Sequence, residues 1–132
     1  ENYKSILQGI REDNPGAVIV SFTTPVIQQL LVEIVRHDLL DEYERWVREV
    51  VEVNGECHHF MFPNTLSRDE LRYFNDPNHY YPFVADMMID AMYNKKAEGD
   101  TDICMRITRK NLEEKTLLLR RLMMEAAAAA KK

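Results

Sequence analysis

The chain is short of positive charge, of long apolar runs and of cysteine, and each shortage removes a class of function. Against 22 Asp and Glu stand only 17 Lys and Arg, a formal net charge of −5. A protein that grips phosphates needs a basic face, and no basic stripe with interleaved aromatics is present, so nucleic acid is not an expected partner. No apolar run approaches the ~20 residues that span a bilayer, and no signal segment is evident. Two cysteines, Cys57 and Cys104, do not make a disulfide framework. They either pair in an oxidising compartment or stay as buried thiols in a reducing one, and with nothing else stapled the thiols are favoured. Internal repeats and domain linkers are also absent, so the 132 residues read as one domain with a modest core. The first residue is Glu1 rather than Met, which suggests that a leader or a larger N-terminal portion precedes it.

What is present alternates between helical periodicity and short apolar runs. Glu1 to Asp13 places Tyr3, Ile6, Leu7 and Ile10 on one helical face, and Asn14-Pro15-Gly16 stops it. Ala17 to Phe22 is a nearly continuous run rich in β-branched residues, the pattern of a strand buried on both faces of a parallel sheet. Thr23-Thr24-Pro25 ends it, with Pro25 in the first turn of a helix carrying Val26, Ile27, Leu30, Leu31, Ile34 and Val35. A second such helix runs from about Leu40 to Val53, closed by Asn54-Gly55.

Cys57 to Phe62 reads as another short strand. Its His58 and His59 are metal-ligand types, alone or with Asp76 and His79, but strand neighbours point to opposite faces and do not share an ion comfortably, so no metal is expected. Ser67 and Glu70 have the spacing of a capping box over one helical turn. The stretch 94–102 is polar with Gly99 as a breaker, and Ile103 to Ile107 reads as extended. A last helix starts at Asn111, with Glu114 three residues on, and runs through an alanine tract to Lys131-Lys132 at the negative end of its dipole. Helices alternating with two or three short strands predict an α/β layer arrangement with a small parallel sheet. So small a sheet has an exposed edge, and the chain therefore reads as the second half of something.

The most chemically informative stretch is Asp76-Pro77-Asn78-His79. An Asp three residues before a His in a turn can accept the proton on one ring nitrogen, leaving the other basic and outward, the arrangement that activates a serine or cysteine. Pro77 presets one turn dihedral and Asn78 tolerates positive φ, which predicts a bend rather than a strand. The competing reading is ordinary surface punctuation ahead of the helix that carries Phe83, Val84, Met87, Met88, Ala91 and Met92.

Four stretches together resemble the C-terminal portion of the SGNH (GDSL-like) hydrolases, a flavodoxin-like, three-layer α/β group of esterases, lipases and carbohydrate O-acyl transferases or deacetylases. Glu1-Asn2-Tyr3 through Val20 is similar to the helix and strand after that family's oxyanion-hole Asn block, and Thr24-Pro25-Val26 to the end of that strand. Arg72 through Pro82 is similar to its Asp-x-x-His block. Met105 to Thr108 with Asn111-Leu112 resembles a C-terminal extension of some bacterial, envelope-associated members, here residues 109–132. The resemblance implies His79 as general base and Asp76 as the residue that fixes its tautomer, an acyl ester or acylated carbohydrate as substrate, no cofactor, and an envelope or periplasmic setting. It also implies a nucleophile in a Gly-Asp-Ser block, which this chain lacks. Its serines are Ser5, Ser21 and Ser67, none in a strand-to-helix turn, and Asn2 and Asn14 lack the surroundings of oxyanion donors. The chain is thus expected to be nearly inert alone, and to need a segment or partner chain carrying Gly-Asp-Ser. The alternative is a non-catalytic interaction module of the same fold, binding through the amphipathic Asn111 to Met124 helix.

Overall fold

The computed structural model describes residues 2–93 and 100–130; the 94–99 part of the polar breaker and the terminal Lys131-Lys132 lie outside them. Seven helices and four short strands are found among these residues: α1 (Tyr3–Asp13), α2 (Gln28–Arg36), α3 (Leu40–Asn54), β1 (Glu56–His59), α4 (Thr65–Arg68), α5 (Glu70–Tyr73), β2 (Phe74–Asp76), β3 (His79–Tyr80), α6 (Pro82–Tyr93), β4 (Met105–Thr108) and α7 (Leu112–Ala129).

Mixed helix and strand is as expected, but the sheet is not. β1 pairs antiparallel with β4, with Cys57 opposite Ile107 and His59 opposite Met105, and β2 pairs antiparallel with β3. The expectation of a parallel, flavodoxin-like sheet is therefore corrected. That expectation took the helices between apolar runs for crossovers, whereas β4 returns along β1 in the opposite sense. α7, following β4 directly, then packs back on α2 and α3. Among the described residues parallel pairing survives only as a single bridge between Phe22 and His58.

The Ala17–Phe22 run is likewise not buried on both faces. Val18, Val20 and Phe22 are 92, 43 and 50% exposed, while Ile19 and Ser21 are half-buried and Thr23 is buried. This is the period-2 alternation of a one-sided strand. The reason is that α1 does not cover the run: it lies against α3, buries no residue of its own, and is tied there by Lys4–Glu52 (2.8 Å). Helix α2 begins at Gln28 rather than at Pro25, since Thr23 to Ile27 stays outside the helix and is buried apart from Thr24.

The main core joins Leu31 of α2, Tyr43, Val47 and Val51 of α3, Cys57 of β1, Ile107 of β4 and Leu119 and Met123 of α7. Because α7 buries Leu112, Thr116, Leu119, Met123, Ala126 and Ala127, most of the apolar stripe expected to bind a partner is used inside the chain. Asn111 sits at its N-cap position but makes no side-chain cap bond; its amide oxygen accepts from Thr108 N–H (2.8 Å) instead. Both cysteines are free and buried, and burial pushes each thiol up to about 12, so neither is a nucleophile near neutral pH.

A second core, Ile27, Phe60, Leu66, Tyr73, Phe74, Val84, Met88 and Cys104, lies under the α4–α6 region and seats the β2–β3 hairpin. The helical turn expected at Ser67 starts earlier. Asn64, buried and extended, is the N-cap, and Ser67 is the third residue of the helix, its hydroxyl accepting from Asn64 N–H (2.9 Å). The capping box is thus Asn64/Ser67, because Asp69 interrupts the helix and caps a separate turn, α5.

Candidate functional site

The hairpin between β2 and β3 has Pro77-Asn78 as its two-residue loop, and Asp76 and His79 are its cross-strand partners. The four-residue motif therefore closes two short strands, where a bend without strands was expected. Asp76 holds it together by accepting the backbone N–H groups of Asn78 (2.9 Å) and His79 (3.0 Å) on Oδ1, an Asx-type turn that the loop composition favours. The same carboxylate reaches the imidazole: Nδ1 of His79 lies 2.8 Å from Oδ1 and 2.7 Å from Oδ2. The turn is anchored from outside by Ile27, whose N–H donates to the carbonyl of Pro77 (3.3 Å).

Electrostatics follow from these bonds. The Asn78 N–H first, and then the His79 ring, hold the Asp76 carboxyl below its usual range, so it is a carboxylate at neutral pH and accepts the Nδ1 proton. That leaves Nε2 of His79 as the free lone pair, with no hydrogen-bond partner among the described residues. The His79 side chain is 75% exposed and that of Asp76 45%. Beside them Tyr80 turns inward onto the second core, while Tyr81 stacks on Phe83 (6.2 Å between centroids).

No serine of this chain is available to that base. Ser5 donates to Asn2 (3.0 Å), Ser21 accepts from Asn54 (2.7 Å) and Ser67 lies inside the Asn64 cap. Asn2 and Asn14 serve the ends of α1, Asn2 as N-cap and Asn14 through Nδ2 on the carbonyl of Ile10 (2.8 Å). Two surface depressions, of about 340 Å³ beside Lys4, Arg11 and Glu52 and about 270 Å³ beside Asp38, Asp41 and Arg120, include neither member of the dyad.

His58 and His59 do not join the turn. His58 faces Glu56 at 3.7 Å, with burial lowering its pKa. His59 is fully buried with both ring nitrogens engaged, Nδ1 by the Thr23 hydroxyl (3.0 Å) and Nε2 by the Tyr43 hydroxyl (2.7 Å). Among the described residues no group of three or more His, Cys, Asp and Glu is placed to hold a metal ion.

Donor counting assigns the proton on His59. Thr23 Oγ1 accepts from the N–H groups of Phe60 (2.8 Å) and Met61 (3.2 Å), which uses both lone pairs, so its own proton goes to Nδ1. Tyr43 donates to the carbonyl of Met61 (2.6 Å) and therefore accepts from Nε2–H. Thr23 is a residue that periodicity misses; its signal is a hydroxyl placed where an apolar run ends. Thr23→Val leaves the buried His59 Nδ1 and Phe60 N–H and the half-buried Met61 N–H without this partner and is expected to lower unfolding stability by about 2–4 kcal/mol, with Thr23→Ser recovering most of it, as read by urea denaturation.

Comparison with protein-family models, with curated proteins and with solved structures finds no match.

Proposed function

We propose that this chain supplies the acid-base half of a serine-dependent acyl-ester site of the SGNH type, acting in hydrolysis or in carbohydrate O-acyl transfer or deacetylation. The observation that carries the reading is the pairing of Nδ1 of His79 with the Asp76 carboxylate at 2.7 Å, with Nε2 unpartnered and open to solvent. In the complete site Nε2 takes the proton of an incoming serine hydroxyl as it attacks the acyl carbon, then returns it to the leaving alkoxide. Asp76 holds the ring in the competent tautomer and stabilises the imidazolium formed between the two steps. Water or a sugar hydroxyl, deprotonated by the same nitrogen, then attacks the acyl-enzyme.

The nucleophile and the oxyanion donors come from a Gly-Asp-Ser-bearing segment or chain. Without them a lone base retains a contribution of about 10²–10⁴, a small part of enzymatic acceleration, and the isolated chain is expected to hydrolyse p-nitrophenyl acetate no faster than imidazole in buffer. Joined to a Gly-Asp-Ser segment it is expected to turn the ester over and to take a fluorophosphonate label on serine. Equal turnover by the completed protein carrying His79→Ala sinks the assignment.

A further inference from the structure

The hairpin continues beyond its two strands into a row of rings. Tyr81 N–H donates to the carbonyl of Tyr73 (2.9 Å), so the pairing extends one step past β3 and the period-2 alternation holds through Tyr81. Tyr80 turns inward onto the second core. His79 and Tyr81 therefore share the outward side, their Cα atoms roughly 7 Å apart at ~3.4 Å per residue. Phe83 lies against Tyr81, with centroids 6.2 Å apart and planes 14° from parallel, and rests on the buried Tyr73 (6.0 Å). Tyr81 and Phe83 are nonetheless 36 and 46% exposed. Exposed apolar side chains scattered singly need no explanation. Two neighbouring rings, one of them supported from below by a third, form a platform that leads away from His79.

The groups around the platform decide what it accepts. Phe83, Asp86 and Asp90 fall at i, i+3 and i+7 of α6, one row along the helix. Both carboxylates are exposed, and α6 carries no basic side chain. A carboxylate only accepts hydrogen bonds, so a matching ligand brings donors. Phosphate-bearing ligands, nucleic acid included, are repelled by Asp76, Asp86 and Asp90. A proline-rich peptide also docks on exposed rings, but it offers mainly carbonyl acceptors. A quaternary ammonium needs ring faces arranged as a cage, whereas Tyr81 and Phe83 are nearly parallel and the Arg72 guanidinium already stands 5.2 Å over Tyr73. A neutral sugar chain meets both demands. The axial C–H face of a pyranose is attracted to the negative face of an aromatic ring, and its hydroxyls donate to flanking carboxylates.

We infer that Tyr81 and Phe83, flanked by Asp86 and Asp90, form a binding platform for a neutral, β-linked hexose chain running past His79. Equatorial linkages keep such a chain flat and extended, so that its sugar faces meet both rings. The ligand class follows from the rings and carboxylates alone; only the further step, from bound glycan to acylated glycan as substrate, rests on the proposed function.

Titration of the 132-residue chain with cellohexaose, mannohexaose and chitohexaose, followed through its aromatic NMR signals, tests the platform. The Tyr81 and Phe83 ring signals are expected to shift with at least one of these sugars, while those of Tyr43 and Trp46 at the main core stay still. Tyr81→Ala is expected to weaken binding by about tenfold or more, and Tyr81→Phe, which keeps the ring face, by less than about twofold. Removing both carboxylates, Asp86→Ala with Asp90→Ala, is expected to cost about tenfold through lost hydroxyl bonds. Because Phe83 supports packing on Tyr73, it is checked by Phe83→Tyr, which is expected to retain both the fold and the binding. His79→Ala is expected to keep sugar binding whether or not ester turnover is lost, which separates this inference from the functional one. Unmoved Tyr81 and Phe83 signals with all three sugars overturn it, as does undiminished binding by Tyr81→Ala. Tighter binding of an oligoproline peptide or of tetramethylammonium at the same rings also overturns it.

Discussion

On the proposed function, Asp76→Asn in the chain joined to a Gly-Asp-Ser segment is expected to lower kcat by about 10⁴-fold, with KM and thermal stability nearly unchanged. Asn keeps an oxygen for the backbone N–H groups of Asn78 and His79, so the hairpin persists. Its amide, however, presents a donor to Nδ1, which moves the ring proton to Nε2 and removes the outward lone pair that the proposed function requires. His79→Ala removes the base outright and is expected to cost at least as much, and the double variant little more than His79→Ala, because the two residues act as one unit. Single-turnover kinetics on an acyl ester, alongside melting curves, decide the matter. A loss under tenfold for either variant places the dyad outside the reaction.

Acid is expected to unfold the chain chiefly through His59. Burial among Thr23, Tyr43 and Phe62 lowers its pKa from 6.5 to about 3, whereas the unfolded chain takes up a proton near the ordinary value. Between those limits the unfolded state binds more protons, so stability rises with pH. It is fully present above about pH 6.5 and falls towards pH 3 by about 1.4 kcal/mol per unit. His58, also lowered by burial, adds in the same sense, and Asp76, held low by its turn, adds below the ordinary carboxylate range. Urea unfolding at a series of pH values checks this through His59→Gln, which has one fewer titrating group and should show a slope smaller by about one proton. Equal slopes in the two proteins refute it.

The helices were largely legible from spacing, because each needs only local sequence. Tyr43, Val47, Val50 and Val51 at helical period declare the buried side of α3, and the same holds for Leu112, Leu119 and Met123 of α7. The dyad was legible for the same reason, since Asp76 and His79 are three residues apart and the loop chemistry between them is strong. Strand direction was not. Whether β1 meets β4 parallel or antiparallel depends on the course of the chain between Phe60 and Cys104, which no local pattern records. A β-branched run such as Ala17–Phe22 shows an apolar requirement, yet not what satisfies it. The Thr23–His59–Tyr43 group escaped for a related reason: its partners lie 36 and 16 residues apart, and a lone threonine or histidine carries no period.

The two-residue loop between Asp76 and His79 has a kinetic consequence. Most active-site pairs unite residues far apart in the chain, so their geometry waits on the collapse of the whole domain. Here the carboxylate and the imidazole close the shortest loop a hairpin permits, an event on the order of microseconds for an isolated hairpin and one that adds almost nothing to contact order. The pair therefore closes locally and early. A short peptide spanning Phe74 to Tyr81 contains Asp76, His79 and the backbone N–H groups that the carboxylate accepts, and lacks the Ile27 anchor and the second core on which Phe74 and Tyr80 rest.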